Sequence, residues 1–78
     1  MTNQERILNI IAEVVSVPAS QLSPALSSGE LDAWDSLAHL RIMMMVEEEF
    51  GINVDMDAAG ELQNVPEIAA YVQKRRAN

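Results

Sequence analysis

The 78-residue chain contains no cysteine and only one histidine, His39. Without cysteine neither a disulfide framework nor a thiolate metal centre can form, and one histidine is too few for a zinc knuckle. Aromatic residues are also scarce, since the chain has one tryptophan, one tyrosine and one phenylalanine. The core must therefore consist mainly of aliphatic side chains and methionine, a composition that favours helices packed on helices.

The chain also contains few positively charged residues. Five lysine and arginine residues stand against twelve aspartate and glutamate residues, which gives a formal net charge of −7. Nucleic acids and anionic membrane surfaces bind basic faces, so this balance argues against both. It indicates either basic protein partners or simply a need for solubility. No apolar run is long enough to span a bilayer, and the first residues lack the basic segment that begins a signal peptide. We expect a single cytoplasmic domain over residues 1–78.

The N-terminal segment has the pattern of an amphipathic helix. Thr2 and Glu5 have the spacing of a capping box, in which each side chain satisfies a backbone amide near the other. Pro18 ends the pattern because it has no amide hydrogen to donate. The side chains predicted to face inward recur at helical spacing and are Ile7, Leu8, Ile11, Val14 and Val15.

A second helix is predicted from Ser36 to Phe50, with Gly51 as its C-terminal stop. The helix carries two apolar rows. The row predicted to face the core consists of Ile42, Met43, Val46 and Phe50. The other row, offset around the helix, consists of Leu37, Leu40 and Met44. Two rows require two partners, so the second row needs either a neighbouring loop or another protein.

The remaining segments complete a small helical bundle. A short helix is predicted from Met56 to Leu62, and Asn64 then caps a last helix that has Pro66 in its first turn. The inward face of that last helix is predicted to hold Ile68, Ala69, Tyr71 and Val72. Residues 18–34 read as a long loop rich in turn formers, which its leucines and Trp34 pin to the core. We predict an all-α bundle of three main helices and one short helix, with this long loop between helices 1 and 2.

Several patterns that resemble reactive or metal sites fail on physical grounds. Residues 55–60 begin like a calcium loop, but Ala59 and Pro66 stand where oxygen ligands are needed. The consecutive residues Glu47–Glu49 splay by about 100° each around a helix and cannot converge on one ion. We assign no metal site, and no catalytic role to His39.

Ser36 is the remaining candidate for chemistry. A serine at a helix start can act simply as an N-cap, which would need no further explanation. A hydrolase nucleophile is poorly supported, because no nucleophile-elbow glycines surround Ser36 and no base is evident. Its setting is distinctive, however, since a long pinned loop and Asp35 precede it and an apolar row follows it.

The region around Ser36 resembles the attachment site of acyl carrier and peptidyl carrier proteins. The run from Gly29 to Leu40 contains the tripeptide Asp35-Ser36-Leu37, which matches the motif of that family. The run from Glu47 to Ile52 matches the acidic end of the second helix that commonly follows the motif. The resemblance spans essentially the whole chain and implies an acyl-carrier-like four-helix bundle that is not an enzyme.

By this resemblance, Ser36 carries a covalent 4′-phosphopantetheine arm, flanked by Asp35 and Leu37, and the arm holds an acyl group as a thioester. The implied partners are a phosphopantetheinyl transferase and acyl- or aminoacyl-activating ligases, synthases or transferases with basic docking patches. The implied partner surface comprises Leu37, Leu40, Arg41, Met44, Glu47 and Glu48.

The resemblance leaves the cargo and the pathway open. Positions 38 and 41 are often acidic in carriers of fatty-acid synthesis, whereas this chain has Ala38 and Arg41. Together with Trp34, these departures favour a specialised polyketide or fatty-acyl-type pathway. One alternative is an aminoacyl or peptidyl carrier that serves an amino-acid-activating ligase. Another, of a different class, is an unmodified acidic helical interaction module.

Overall fold

The computed structural model describes residues 2–76, apart from the side chain of residue 56. Four helices follow one another along the chain, and no strand occurs within the described range. They are α1 (Asn3–Val15), α2 (Ser36–Phe50), α3 (Met56–Ala59) and α4 (Val65–Arg76). The prediction of an all-α bundle with three main helices and one short helix is confirmed. None of these helices has the length and apolar character needed to cross a membrane.

Helix α1 begins with the predicted capping box. The Thr2 hydroxyl accepts a hydrogen bond from the Glu5 amide at 3.1 Å, and the Glu5 carboxylate accepts one from the Thr2 amide at 3.3 Å. The Thr2 backbone bond is the main cause of a lowered pKa at Glu5, followed by the Thr2 side-chain bond. Because this pKa is depressed, the contribution of the pair is present above the ordinary glutamate pKa and is lost as the pH falls through the lowered value.

Helix α1 lies between α2 and α4 and contacts both. Its buried sector is therefore wider than a single stripe: Ile10 is buried although it lies outside the predicted set, and Val14 is only half-buried at the edge. Ile7 and Ile11 are fully enclosed. All side chains of the core are apolar, and those of α2 and α4 are Ala38, Ile42, Met43, Val46, Phe50, Val65, Ile68 and Val72. The predicted inward row of α2 is thus confirmed.

The last two helices differ in how closely they match the prediction. Helix α3 ends at Ala59, earlier than predicted, and residues 60 and 61 form a turn instead of continuing the helix. Helix α4 starts as expected, with the Asn64 side chain accepting a hydrogen bond from the Glu67 amide at 2.9 Å. Tyr71 is half-buried, and its hydroxyl accepts a hydrogen bond from the Asp55 amide at 3.2 Å.

The long loop between α1 and α2 is held against the bundle. Its Leu22, Leu26 and Trp34 side chains are buried. Its backbone also pairs with the start of α4, through bonds from the Ser28 amide to the residue-63 carbonyl at 2.7 Å and from the Val65 amide to the residue-26 carbonyl at 3.0 Å. Side-chain burial and backbone pairing together fix the approach of the chain to α2.

Two helix ends adopt the same left-handed conformation with different residues. Ser16 ends α1 at φ 59°, and Gly51 ends α2 at φ 65°. This conformation strains residues that carry a Cβ atom but not glycine. We expect Ser16→Gly to raise the free energy of unfolding by about 1 kcal/mol and Gly51→Ala to lower it by about 1 kcal/mol. Urea denaturation measures both, and equal signs for the two variants would contradict this account.

Candidate functional site

Ser36 is exposed at the first position of α2. The residue that caps the helix is Asp35, whose backbone is extended and whose carboxylate accepts a hydrogen bond from the Ala38 amide at 2.8 Å. The interpretation of Ser36 as the N-cap is therefore wrong. Aspartate and serine cap equally well, so the sequence alone does not distinguish two adjacent candidates. Within residues 2–76 the Ser36 hydroxyl makes no hydrogen bond and is open to reaction.

The start of α2 is suited to an anion. The Asp35 carboxylate occupies the Ala38 amide, while the amides at the first two helical positions have no partner within the helix. Unpaired amides and the helix dipole together give this end a partial positive charge that stabilises a phosphate group. A phosphodiester on Ser36 would lie directly at this end.

An apolar cavity of about 300 Å³ opens beside Ser36, between α2 and the segment that contains α3. Apolar side chains and backbone form most of its wall, and the Glu47 carboxylate is the one acidic group there. The lining residues are Ser36, His39, Leu40, Met43, Met44, Glu47, Val54, Ala59 and Gly60. A flexible chain attached to Ser36 could therefore enter an apolar space without leaving the protein surface.

A second, more polar cleft of about 400 Å³ lies on the other side of Ser36. It shares Ser36, His39 and Gly60 with the apolar cavity. Its other lining residues are Ser28, Trp34, Asp35 and Gln63. The imidazole of His39 thus lines both spaces.

His39 links three segments at this point. Its Nδ1 atom lies 3.0 Å from the indole Nε1 of Trp34, and its Nε2 atom lies 2.8 Å from the Ala59 carbonyl oxygen. The two rings are stacked with centroids 6.0 Å apart. The sequence carries no periodic signal of this contact, although the single tryptophan and single histidine lie five residues apart. In the part of the chain that the structure describes, no metal-binding cluster of His, Asp or Glu occurs.

The second apolar row of α2 is exposed. Leu37, Leu40 and Met44 expose 60%, 45% and 56% of their surfaces, large values for apolar side chains. Arg41 and Glu48 are exposed too, and helical spacing places them on the face of Leu37 and Met44. Isolated exposed leucines are ordinary, but a contiguous apolar row on a small acidic protein indicates a contact surface.

Glu47 and Glu48 differ in their surroundings. The Glu47 carboxylate is half-buried and accepts a hydrogen bond from the Val54 amide at 2.7 Å, which ties α2 to the segment before α3. Glu48 remains exposed. Of these two glutamates, Glu48 is therefore the one whose carboxylate is exposed to the solvent.

A larger cavity, with a volume of about 470 Å³, lies elsewhere, between α1 and α2. Its wall is strongly charged and includes an ion pair in which an Arg6 guanidinium nitrogen lies 2.7 Å from a Glu49 carboxylate oxygen. Ser36 takes no part in it. The smaller apolar cavity is therefore the one relevant to chemistry at the start of α2.

Comparison with known proteins gives a consistent result. Residues 5–72 match the profile of the family described as "Phosphopantetheine attachment site". The chain is 34% identical over 76 residues to an acyl carrier protein of Nitratidesulfovibrio vulgaris strain Miyazaki F, an alignment that covers 97% of this chain and all of that protein. It is 33% identical over 72 residues to an acyl carrier protein of Trieres chinensis, covering 92% and 90% of the two chains.

The fold matches a solved structure as well. The solution structure of a holo acyl carrier protein from Geobacter metallireducens superimposes with a TM-score of 0.83 at 27% identity. The superposition covers 99% of this chain and 88% of that one. Sequence and fold therefore point to the same family over nearly the full length.

The Asp35 cap gives a testable prediction about the site's framework. We expect Asp35→Ala to lower the free energy of unfolding by about 1 kcal/mol, because the Ala38 amide loses its acceptor. Asp35→Asn keeps an oxygen in the same place and should cost only a few tenths of that amount. Urea denaturation of both variants decides the matter, and an equal loss in the two would show that charge rather than capping is responsible.

Proposed function

The chain belongs to the acyl carrier protein family, whose members carry a covalent 4′-phosphopantetheine and are not enzymes, and on that premise we propose that Ser36 bears the arm. The observation that carries the assignment is the exposed, unpaired Ser36 hydroxyl at the positive end of a 15-residue helix, between two cavities. When bound, the arm supplies a terminal thiol that holds a cargo as a thioester.

The surroundings of Ser36 fit such an arm. The free amides of the first turn stabilise the charge of a phosphodiester. The cleft toward Gln63 offers polar walls next to the attachment point, and the cavity toward Met43 offers apolar ones. A tethered cargo also reaches successive enzymes at a high effective concentration, which is the advantage that a carrier provides.

We assign an acyl cargo in preference to an aminoacyl or peptidyl one. The supporting observation is the apolar character of the cavity beside Ser36, where Leu40, Met43 and Val54 provide hydrocarbon surface. An alkyl chain gains about 0.8 kcal/mol for each methylene group that it buries. A charged aminoacyl group would instead lose hydration in the same space.

We propose further that the exposed row of α2 receives partner enzymes. Leu37, Leu40 and Met44 supply apolar contact, and Met44 can adapt to different partner shapes. Glu48 and Asp35 supply negative charge to basic docking patches, while Arg41 interrupts that charge. The Glu47 carboxylate already accepts a hydrogen bond from the Val54 amide. We therefore assign Glu47 mainly the role of holding the segment before α3.

The pathway we propose is a specialised polyketide or fatty-acyl-type synthesis, in which residues 1–78 form a single cytoplasmic carrier domain. Support comes from two positions that are often acidic in carriers of fatty-acid synthesis. Position 38 is a buried alanine here, and position 41 is an exposed arginine. Enzymes that dock on this face would need to accommodate a cation at its centre.

The assignment of Ser36 is tested by intact mass after incubation with coenzyme A and a broad-specificity phosphopantetheinyl transferase. We expect one phosphopantetheine on the native chain and none on Ser36→Ala. Ser20→Ala is the matched control, because Ser20 is also exposed and lies in the long loop. That control should be modified fully. Modification of Ser36→Ala would overturn the assignment, and no modification of the native chain would leave an unmodified acidic interaction module.

The partner surface is tested with the same transferase by steady-state kinetics. We expect Glu48→Lys to lower kcat/KM about fivefold at low salt, because it removes an attraction and adds a repulsion. The difference should shrink at high salt through screening. The double variant Gln4→Lys and Ser20→Lys changes the net charge by the same amount at two exposed positions outside α2, and should have little effect. Equal losses for both variants would mean that net charge rather than this surface guides docking.

A further inference from the structure

The hydrogen bonds of His39 fix which ring nitrogen carries the proton. The indole Nε1 of Trp34 can only donate, so the Nδ1 atom that faces it at 3.0 Å must accept and is unprotonated. Nε2 then carries the proton and donates it to the Ala59 carbonyl oxygen at 2.8 Å. Trp34 thereby sets the tautomer, and the tautomer provides the donor that α3 requires.

This contact is a direct hydrogen bond between α2 and α3. Within the described residues, the other hydrogen bonds of Met56–Ala59 remain inside the segment from residue 55 to residue 62. The His39–Ala59 bond joins α3 directly to α2, at the last residue of α3. The neighbouring ties, from Val54 to Glu47 and from Asp55 to Tyr71, hold the segment before α3 rather than α3 itself.

The tie lies beside the attachment point. His39 and Ala59 both line the apolar cavity, together with Ser36. The cavity exists only while the segment that contains Ala59 stays at its present distance from α2. A bond between His39 and Ala59 consequently fixes the width of the cavity at the end nearest Ser36.

We propose that His39 is a positioning residue that holds α3 against α2 and so keeps the apolar cavity formed around a cargo, with Trp34 holding its ring in the required tautomer. The effect on cargo rests on the function proposed above. The effect on α3 does not, because the hydrogen bonds exist in the unmodified chain.

Two substitutions test the roles of the two ring nitrogens of His39 separately. His39→Gln places an amide donor near the position of Nε2 and can keep the bond to Ala59. His39→Asn places an oxygen near the position of Nδ1, but its side chain is too short to reach Ala59. A role in holding α3 predicts that glutamine rescues and asparagine does not. A purely steric role predicts that size alone matters, so that His39→Met, which is about as long as glutamine but has no donor, would hold α3 as well as His39→Gln.

The first measurement uses the unmodified chain. Nitrogen NMR of the imidazole should show a protonated Nε2 and an unprotonated Nδ1. Amide hydrogen exchange within α3 and its following turn should accelerate about fivefold in His39→Asn, the factor expected for one hydrogen bond. His39→Gln should stay close to the native rate, and amides of α4 should be unchanged in both. Equal acceleration in the two variants, or none in either, overturns the positioning role.

The second measurement uses the chain carrying an acylated arm. Octanoyl and acetyl forms are prepared from the corresponding coenzyme A thioesters, and cleavage of each thioester by hydroxylamine is followed by mass spectrometry. We expect the octanoyl thioester to be cleaved about fivefold faster in His39→Asn than in the native chain or in His39→Gln. The acetyl thioester is too short to depend on the cavity and should be cleaved equally in all three.

The two measurements fail in distinguishable ways. If Ser36 accepts no arm, the proposed function fails while hydrogen exchange still decides whether His39 holds α3. If the arm attaches but octanoyl cleavage is the same in all three proteins, the proposed function stands and the role of His39 in cargo enclosure is overturned. An equal rise for acetyl and octanoyl thioesters also overturns it, because the cavity would then not be the cause.

Discussion

Burial of Trp34 immediately before α2 is the constraint on which the functional end of the molecule depends. Only 4% of the side chain is exposed, and its amide bonds to the Leu31 carbonyl at 3.1 Å. With the indole fixed in the core, the next residue, Asp35, is extended and caps the helix. Ser36 therefore comes first on the helix and faces outward. The position of the Ser36 hydroxyl follows from an apolar anchor two residues earlier.

The side chains of α2 lie in three different environments. One side contributes Ile42 and Val46 to the core, and the next lines the cavity with Met43. The third exposes Leu37 and Met44 to the solvent. Exposing apolar side chains gives up burial energy, and the partner docking proposed above would recover part of it. A net charge of −7 keeps such a surface soluble between encounters.

The sequence predicts the long helices well because local signals determine their ends. The capping box at Thr2, the glycine at position 51 and the cap at Asn64 are all read within a few residues. The end of α3 is less predictable, because a single helical turn has too little periodicity to mark its length. The cap of α2 is also less predictable, because Asp35 and Ser36 are adjacent and their side chains cap helices equally well.

The sequence predicts the candidate attachment residue better than it predicts which side chains contact one another around it. The tripeptide around Ser36 points to the residue that we propose carries the arm, but three consecutive glutamates do not reveal which one turns toward Val54. His39 illustrates the same limit. Its partners come from the loop before α2 and from α3, so its role emerges only when three segments are brought together.

The cavity and the exposed row are not separate features, because they share residues. Leu40 and Met44 line the cavity and also belong to the exposed row. An enzyme that docks on this row therefore touches the rim of the space beside Ser36. Enclosing a cargo and presenting it are opposite requirements, and a carrier meets both only if docking changes access to the cavity. Shared rim residues provide the physical link, since displacing Leu40 or Met44 alters the wall on which the cargo would rest.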